Sequence, residues 1–309
     1  MSRKFTGVIP PVVTPLTADG ALDLPGLDDV VEHLISGGMH GLFVLGSTGE
    51  VAYLTDAQRD EVLSRVVAKT AGRVPVIAGA IDTTTARVIE QAKRAQALGA
   101  DAVVATCPFY AINSADEIAD HFRAIAAAID VPLFVYDIPV RVNGVKLDHQ
   151  MLVDLGKEGV VAGVKDSSGN DVAFRRLVAA NEAAGHPLSL LTGHECVVDG
   201  MLLLGADGVV PGYANVDPRR YTDLWEAAQA EDWTAARRIQ DEICEGFEIV
   251  FVAKGRSGDA AGVGAFKTAM QALGIIESNT MAFPVQALGG EVADKIKQIV
   301  ADANIGTFA

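Results

Sequence analysis

The chain has three cysteines, Cys107, Cys196 and Cys244, scattered without a CxxC spacing. That pattern argues against a disulfide framework and against a zinc knuckle, and leaves them as packed thiols. Histidine is also sparse. His33, His40, His121, His149 and His186 fall mostly in helical or loop stretches, and only His194 follows an apolar run. The converging ligands of a metal-dependent aldolase or hydrolase are therefore missing, and no metal is expected. No run reaches the roughly 20 uninterrupted apolar residues of a bilayer span, and Met1-Ser2-Arg3-Lys4-Phe5 leads to Pro10 and Pro11, not to a signal-peptide core. No membrane partner and a cytoplasmic location are expected. Lys and Arg number 25 against 40 Asp and Glu, a formal charge of -15, which argues against a nucleic-acid partner. Phosphate-binding barrels carry glycine-rich turns after strands seven and eight, and Pro211-Gly212-Tyr213-Ala214-Asn215 does not fit them. Gly46-Ser47-Thr48-Gly49-Glu50 lacks the Walker lysine, and Gly262-Val263-Gly264 does not open a βαβ unit, so no nucleotide cofactor is expected.

Half of the 309 residues are hydrophobic, and they are periodic. Short apolar runs occur at Val8 to Val13, Leu42 to Leu45, Val74 to Ala78, Ala102 to Thr106, Leu133 to Tyr136, Val160 to Val164, Leu188 to Leu191 and Val209 to Val210, mostly about 30 residues apart. Helical stretches lie between them. Ile118, Phe122, Ile125 and Ile129 share one stripe within Ala115 to Ile129, and Thr55-Asp56-Ala57-Gln58 has capping-box spacing. Strands apolar on both faces imply a parallel sheet covered on both sides. Eight units predict an α/β fold closed as a (β/α)8 TIM barrel, with an open doubly wound sheet as the alternative. The barrel is expected over 1-230. About 80 residues follow, with helical patterns at Trp233 to Val252, Val263 to Leu273 and Val292 to Val300, and predict a C-terminal helical extension over 231-309 packed on the barrel.

Barrel enzymes place their chemistry at the C-terminal ends of strands, which singles out four stretches. Lys165 ends the run Val160-Val161-Ala162-Gly163-Val164. Free lysine is neutral in only about one molecule in two thousand at pH 7, and burial in an apolar mouth favours the neutral, nucleophilic form. Snorkelling to water, or pairing with Asp166, is the alternative. Tyr136 ends the neighbouring strand, within reach to move protons for such an amine, although it could equally be a packed core ring. Ser47 and Thr48 supply hydroxyls on a glycine-flanked loop suited to a carboxylate, or form a plain tight turn. Arg141 could fork a carboxylate or remain a solvated loop residue. Val210, at the end of the eighth run, is placed at the substrate wall.

Taken together and in order, Gly46-Ser47-Thr48-Gly49-Glu50, Tyr136-x-x-Pro139 and Gly163-Val164-Lys165-Asp166 resemble the dihydrodipicolinate synthase and N-acetylneuraminate lyase family of class I aldolases, over nearly the whole chain. The resemblance implies that Lys165 forms an imine with pyruvate and that Tyr136 shuttles protons. It implies that Ser47 joins the relay, that Thr48 holds the pyruvate carboxylate, and that Arg141 receives the carboxylate of an aldehyde. Tyr110 would complete the relay from a neighbouring subunit, within a homotetramer built as a dimer of dimers. No cofactor is implied.

Departures from the family pattern bear on the second substrate. The chain reads Asp137-Ile138-Pro139-Val140-Arg141-Val142 where the synthases typically show Asn-Val-Pro-Ser-Arg-Thr, and Asp166 and Ser47 stand where Glu and Thr are commoner. Arg87 occupies the place that matches the acid binding lysine in lysine-inhibited members, so no feedback inhibition by lysine is expected. The first expectation is a 4-hydroxy-tetrahydrodipicolinate synthase of lysine biosynthesis, condensing pyruvate with aspartate semialdehyde. The alternatives are an aldolase or dehydratase for a 2-keto-3-deoxy sugar acid and a non-catalytic 2-oxo acid sensor.

Overall fold

The computed structural model describes residues 5–305; residues 1–4, and residues 306–309 at the end of the expected extension, lie outside the described residues. Eight strands alternate with helices: β1 (Gly7–Val8), β2 (Leu42–Val44), β3 (Val76–Gly79), β4 (Ala102–Thr106), β5 (Leu133–Asp137), β6 (Gly163–Asp166), β7 (Ser189–Thr192) and β8 (Gly208–Val209). All ladders are parallel, in the order β1-β8-β7-β6-β5-β4-β3-β2. The two edge strands meet. His40 N donates to Val8 O at 2.9 Å, Phe43 N to Pro10 O at 2.9 Å, and Val12 N to Phe43 O at 2.8 Å, with a parallel bridge between Pro11 and Phe43. The sheet therefore closes into the expected barrel. Within Val8 to Val13 the ladder covers only Val8, because Pro10 and Pro11 have no N–H to donate and only their carbonyls can pair.

The unbroken apolar character of the strands now has a cause in both directions. Phe43, Ile77, Val104, Phe134, Tyr136, Leu191 and Val210, joined by Phe5 and Ile9, pack into the barrel interior. Their neighbours along the strands, such as Leu42, Val44, Val103, Val135, Val164 and Leu190, pack outward beneath the helices. The outer ring comprises α1 (Leu24–Ser36), α2 (Asp56–Thr70), α3 (Thr85–Ala97), α4 (Ala115–Ala126), α5 (His149–Lys157), α6 (Asp171–Ala183), α7 (Val198–Leu204) and α8 (Pro218–Gln229). Helix α2 starts in the expected capping box of Thr55 with Gln58, and α4 in a second, Ser114 with Glu117. Helix α4 ends at Ala126, short of Ile129, because Val131-Pro132 must already be extended to enter β5.

Four further helices follow: α9 (Trp233–Phe247), α10 (Gly258–Ala261), α11 (Val263–Ala272) and α12 (Gly290–Asp302). Helix α9 packs on α8, and α11 packs between α12 and the short 3-10 turn Gly212–Asn215 that follows β8. The stretch Trp233 to Val252 is not one helix; it tightens to a 3-10 turn at Glu248–Phe251. Among the described residues no helix is long and apolar enough to cross a membrane.

Candidate active site

The β5–β6 ladder pairs Tyr136 with Lys165 and Asp137 with Asp166. Alternation along parallel strands aims the first pair into the barrel and the second out of it. The inward layer continues through Thr106, partner of Tyr136, and Leu191, partner of Lys165. Lys165 is 5% exposed, and its Nζ stands 4.2 Å from the centre of the Tyr136 ring and 4.7 Å from that of Phe43. The rings meet edge to face at 6.1 Å, so the amine sits in an aromatic corner shut off from bulk water. Asp166 is not its partner. Asp137 and Asp166 are both bridged by Lys146, at 2.8 Å to Asp166 Oδ2. Burial pushes the Asp137 carboxyl up to about 6 even though the Lys146 charge opposes it.

The Tyr136 hydroxyl is buried among polar partners. Burial alone would disfavour its ionisation, but the Lys165 charge and hydrogen bonding with Ser47, Ser167 and Lys165 outweigh burial and keep the phenol below its ordinary 10.0. Ser47 comes from the loop after β2, as the glycine-flanked motif suggested. Ser167 follows Lys165 directly and was not singled out, since nothing in a serine after a strand marks it as aimed at a neighbouring strand.

The loop that carries Ser47 is locked from below. Glu50, left-handed at φ 56° and 2% exposed, accepts from Ala282 N at 2.8 Å and pairs with Lys267 of α11, whose side chain is 0% exposed. Lys267 Nζ also donates to Thr280 O at 2.9 Å. Lys267 is a residue that reading strand ends misses. Its signal is a lone cation within Val263–Met270, a helical stretch buried on all sides.

A cavity of about 240 Å³ opens above Tyr136, lined by Ser47, Tyr53, Thr106, Tyr136, Arg141 and Asp259 among others. A larger cleft of about 480 Å³ lies at the opposite, N-terminal end of the strands, walled by Phe5, Leu133, Ala162 and Leu188, and holds none of these candidates. Arg141 reaches the first cavity, but its guanidinium fork is already taken. Nη2 and Nη1 both pair with Asp259 of α10, Nη1 to Oδ2 at 3.2 Å, and the Tyr53 hydroxyl donates to the same Oδ2 at 2.7 Å. Burial would raise the Asp259 carboxyl, yet the Arg141 and Tyr53 bonds hold it below the usual value.

The remaining candidates are placed less centrally. Thr48 sits half-buried in the loop and does not line the cavity, and Val210 belongs to the barrel interior with its N–H on Thr192 O at 2.7 Å. Tyr110 is 92% exposed, left-handed at φ 72°, and does not line the cavity; its N–H donates to Asn143 Oδ1 at 3.2 Å. Ile112 and Val140 are also exposed on these two loops, which Asn143 joins through Ala111 O at 3.0 Å. Arg87 is engaged by Asp82 at 2.7 Å, and His194 by Asp171 at 2.8 Å.

Comparison with known proteins places this geometry among relatives. The model of the dihydrodipicolinate synthetase family matches residues 4–303. A 4-hydroxy-tetrahydrodipicolinate synthase of Phenylobacterium zucineum is 36% identical over 249 residues, covering 80% of this chain and 82% of the relative. An uncharacterized DapA-like lyase of Halobacterium salinarum is 39% identical over 240 residues, 77% of either chain. Among solved structures, the dihydrodipicolinate synthase of Bacteroides thetaiotaomicron superposes with a TM-score of 0.91 at 32% identity, covering 98% of this chain and 100% of that one. A prophage protein of the dihydrodipicolinic acid synthase family from E. coli K12, solved in complex with pyruvate, gives a TM-score of 0.91 at 27% identity and covers 98% and 99%.

Proposed function

The chain belongs to the dihydrodipicolinate synthetase family, a class of lyases, and on that premise we propose that it activates pyruvate as an imine on Lys165 and joins it to, or releases it from, an aldehyde. The observation that carries this reading is the Tyr136–Lys165 pairing: a buried amine against a phenol whose proton is already loosened. Once it has given up a proton, the Lys165 amine adds to C2 of pyruvate, and a nitrogen proton passes through Tyr136 to the former carbonyl oxygen, giving a carbinolamine. The Tyr136 phenol gives its own proton so that this oxygen leaves as water, and the C=N bond forms as a protonated imine. The Tyr136 phenolate takes a proton from C3, and the electron pair moves towards the positive nitrogen to give an enamine. Its C3 then bonds to the aldehyde carbon, whose oxygen takes a proton from Tyr136. Water returns to C2, and the amine is released. Ser47 and Ser167 hold the phenol in place for these transfers, and Thr48 beside them is assigned to the pyruvate carboxylate, with Val210 as apolar wall.

Two acceptors fit this half-reaction. Arg141 and the names of several relatives support aspartate semialdehyde, which would make the chain a 4-hydroxy-tetrahydrodipicolinate synthase. The occupied fork of Arg141 favours the second reading, an aldolase or dehydratase for a 2-keto-3-deoxy sugar acid, whose aldehyde part carries hydroxyls and no carboxylate. We assign Tyr110 to a neighbouring subunit's site in a homotetramer; its exposure beside Ile112 and Val140 supports a covered face there.

Exchange of the pyruvate methyl protons for deuterium, followed by NMR without any aldehyde, tests the shared half. The wild type exchanges them and Lys165→Ala does not. Exchange at the uncatalysed rate in the wild type overturns the proposal.

A further inference from the structure

We propose that Asp259 is a specificity-determining residue: by holding Arg141 together with Tyr53, it makes the acceptor pocket select an uncharged, hydroxyl-bearing aldehyde over a carboxylate-bearing one. The inference rests on the imine reading and deepens it by naming the class of second substrate.

Among the residues lining the cavity, Glu50, Arg141 and Asp259 carry formal charge. Glu50 is neutralised by Lys267, and Arg141 and Asp259 neutralise each other. The pocket that adjoins Tyr136 thus offers an incoming anion no unspent cation. A carboxylate on the acceptor could take the Arg141 fork only by displacing Asp259. The freed aspartate would then stand beside a second anion, at a site where its own side chain is 11% exposed and poorly screened. Displacement also strands the Tyr53 hydroxyl, which donates to Asp259 at 2.7 Å.

The same pocket is well furnished for hydroxyls. Asp259 retains acceptor capacity beyond its bonds to Arg141 and Tyr53, and Arg141 retains N–H donors beyond the two spent on Asp259. Deeper in, the Thr106 hydroxyl is buried without a hydrogen-bond partner among the described residues, in the same inward layer as Tyr136. A lone buried hydroxyl that lines a cavity needs a polar partner, and a hydroxyl of the acceptor would supply one. A short chain of hydroxyls running from the aldehyde carbon at Tyr136 would meet Thr106 at one end and the Asp259, Tyr53 and Arg141 cluster at the other. Lys165 does not line this cavity, whose volume of about 240 Å³ corresponds to roughly eight waters at ≈30 Å³ each, room for a small aldehyde beside Tyr136.

The test compares kcat/KM for two acceptors, glyceraldehyde and succinic semialdehyde, each with saturating pyruvate. Wild type is expected to favour glyceraldehyde. In Asp259→Asn and Asp259→Ala the ratio should move towards succinic semialdehyde by about tenfold or more, because Arg141 becomes free to bind the carboxylate. Tyr53→Phe, which loosens Asp259 without removing it, should move the ratio the same way by less. Pyruvate methyl-proton exchange is followed in every variant. Exchange retained with an unchanged acceptor ratio overturns the role of Asp259 alone. Exchange absent in the wild type overturns the imine reading, and this inference with it. Should the Asp259 variants lose exchange through misfolding, Tyr53→Phe decides: a shifted ratio supports the role and an unshifted one overturns it.

Discussion

Tyr136 and Lys165 are partners across the β5–β6 ladder, with the lysine Nζ 4.2 Å from the centre of the tyrosine ring. Both are buried, so the ladder and the barrel packing fix their relationship before any substrate arrives. Removal of the phenol oxygen should therefore affect chemistry and leave the fold intact. Tyr136→Phe is expected to lower kcat by about 10²- to 10⁴-fold, the span of one positioned proton-transfer group, with an unchanged thermal melt. Steady-state kinetics with circular dichroism checks this, and a fall of less than tenfold would remove Tyr136 from the relay.

The Glu50–Lys267 pair ties the loop that carries Ser47 to the C-terminal helices in a region closed to water. Lys267→Met should cost about 3–5 kcal/mol, since it leaves a buried carboxylate without its counter-charge. The double variant with Glu50→Gln should recover part of that loss. Urea unfolding of the three variants measures both effects. An unaltered midpoint for Lys267→Met would mean that the pair contributes nothing to the fold.

Asp137 stands where the related synthases typically carry asparagine, and Lys146 gives it a partner. Its carboxyl is raised to about 6 by burial, above the unfolded value of about 3.9. Between about pH 4 and pH 6 the folded chain therefore keeps a proton that the unfolded chain has released. This residue's contribution is fully present below that window and is lost as pH rises through it, by up to about 3 kcal/mol for two units. Relative to Asp137→Asn, the wild type should lose ground from pH 4 to 6 and run parallel above. Urea unfolding across that range checks the sign, and a difference that grows in favour of the wild type would contradict it.

Why some of this could be read from the sequence and some could not follows from chain separation. Strand spacing reports the barrel because every unit repeats the same burial pattern, and Lys165, Tyr136 and Ser47 stand out because each ends or follows an apolar run. The partners Lys267 and Asp259 lie 217 and 118 residues from Glu50 and Arg141, and no local pattern encodes a contact across that distance. Arg141 could thus be picked as a carboxylate binder while the carboxylate it holds, Asp259, went unseen. The tightening at Glu248 was hidden for another reason: a 3-10 turn preserves the i, i+3 spacing of apolar residues, so periodicity does not register it. The early end of β1 is legible in hindsight from Pro10 and Pro11, whose missing donors limit the ladder.

If Lys165 activates the substrate as proposed, its amine condenses with a 2-oxo acid. Sodium borohydride added in the presence of pyruvate, followed by peptide mass spectrometry, tests it most directly. One reduced pyruvate per chain is expected, on the peptide bearing Lys165, with activity lost in proportion and no adduct in Lys165→Ala. An unmodified wild type, or an adduct that persists in Lys165→Ala, would contradict it.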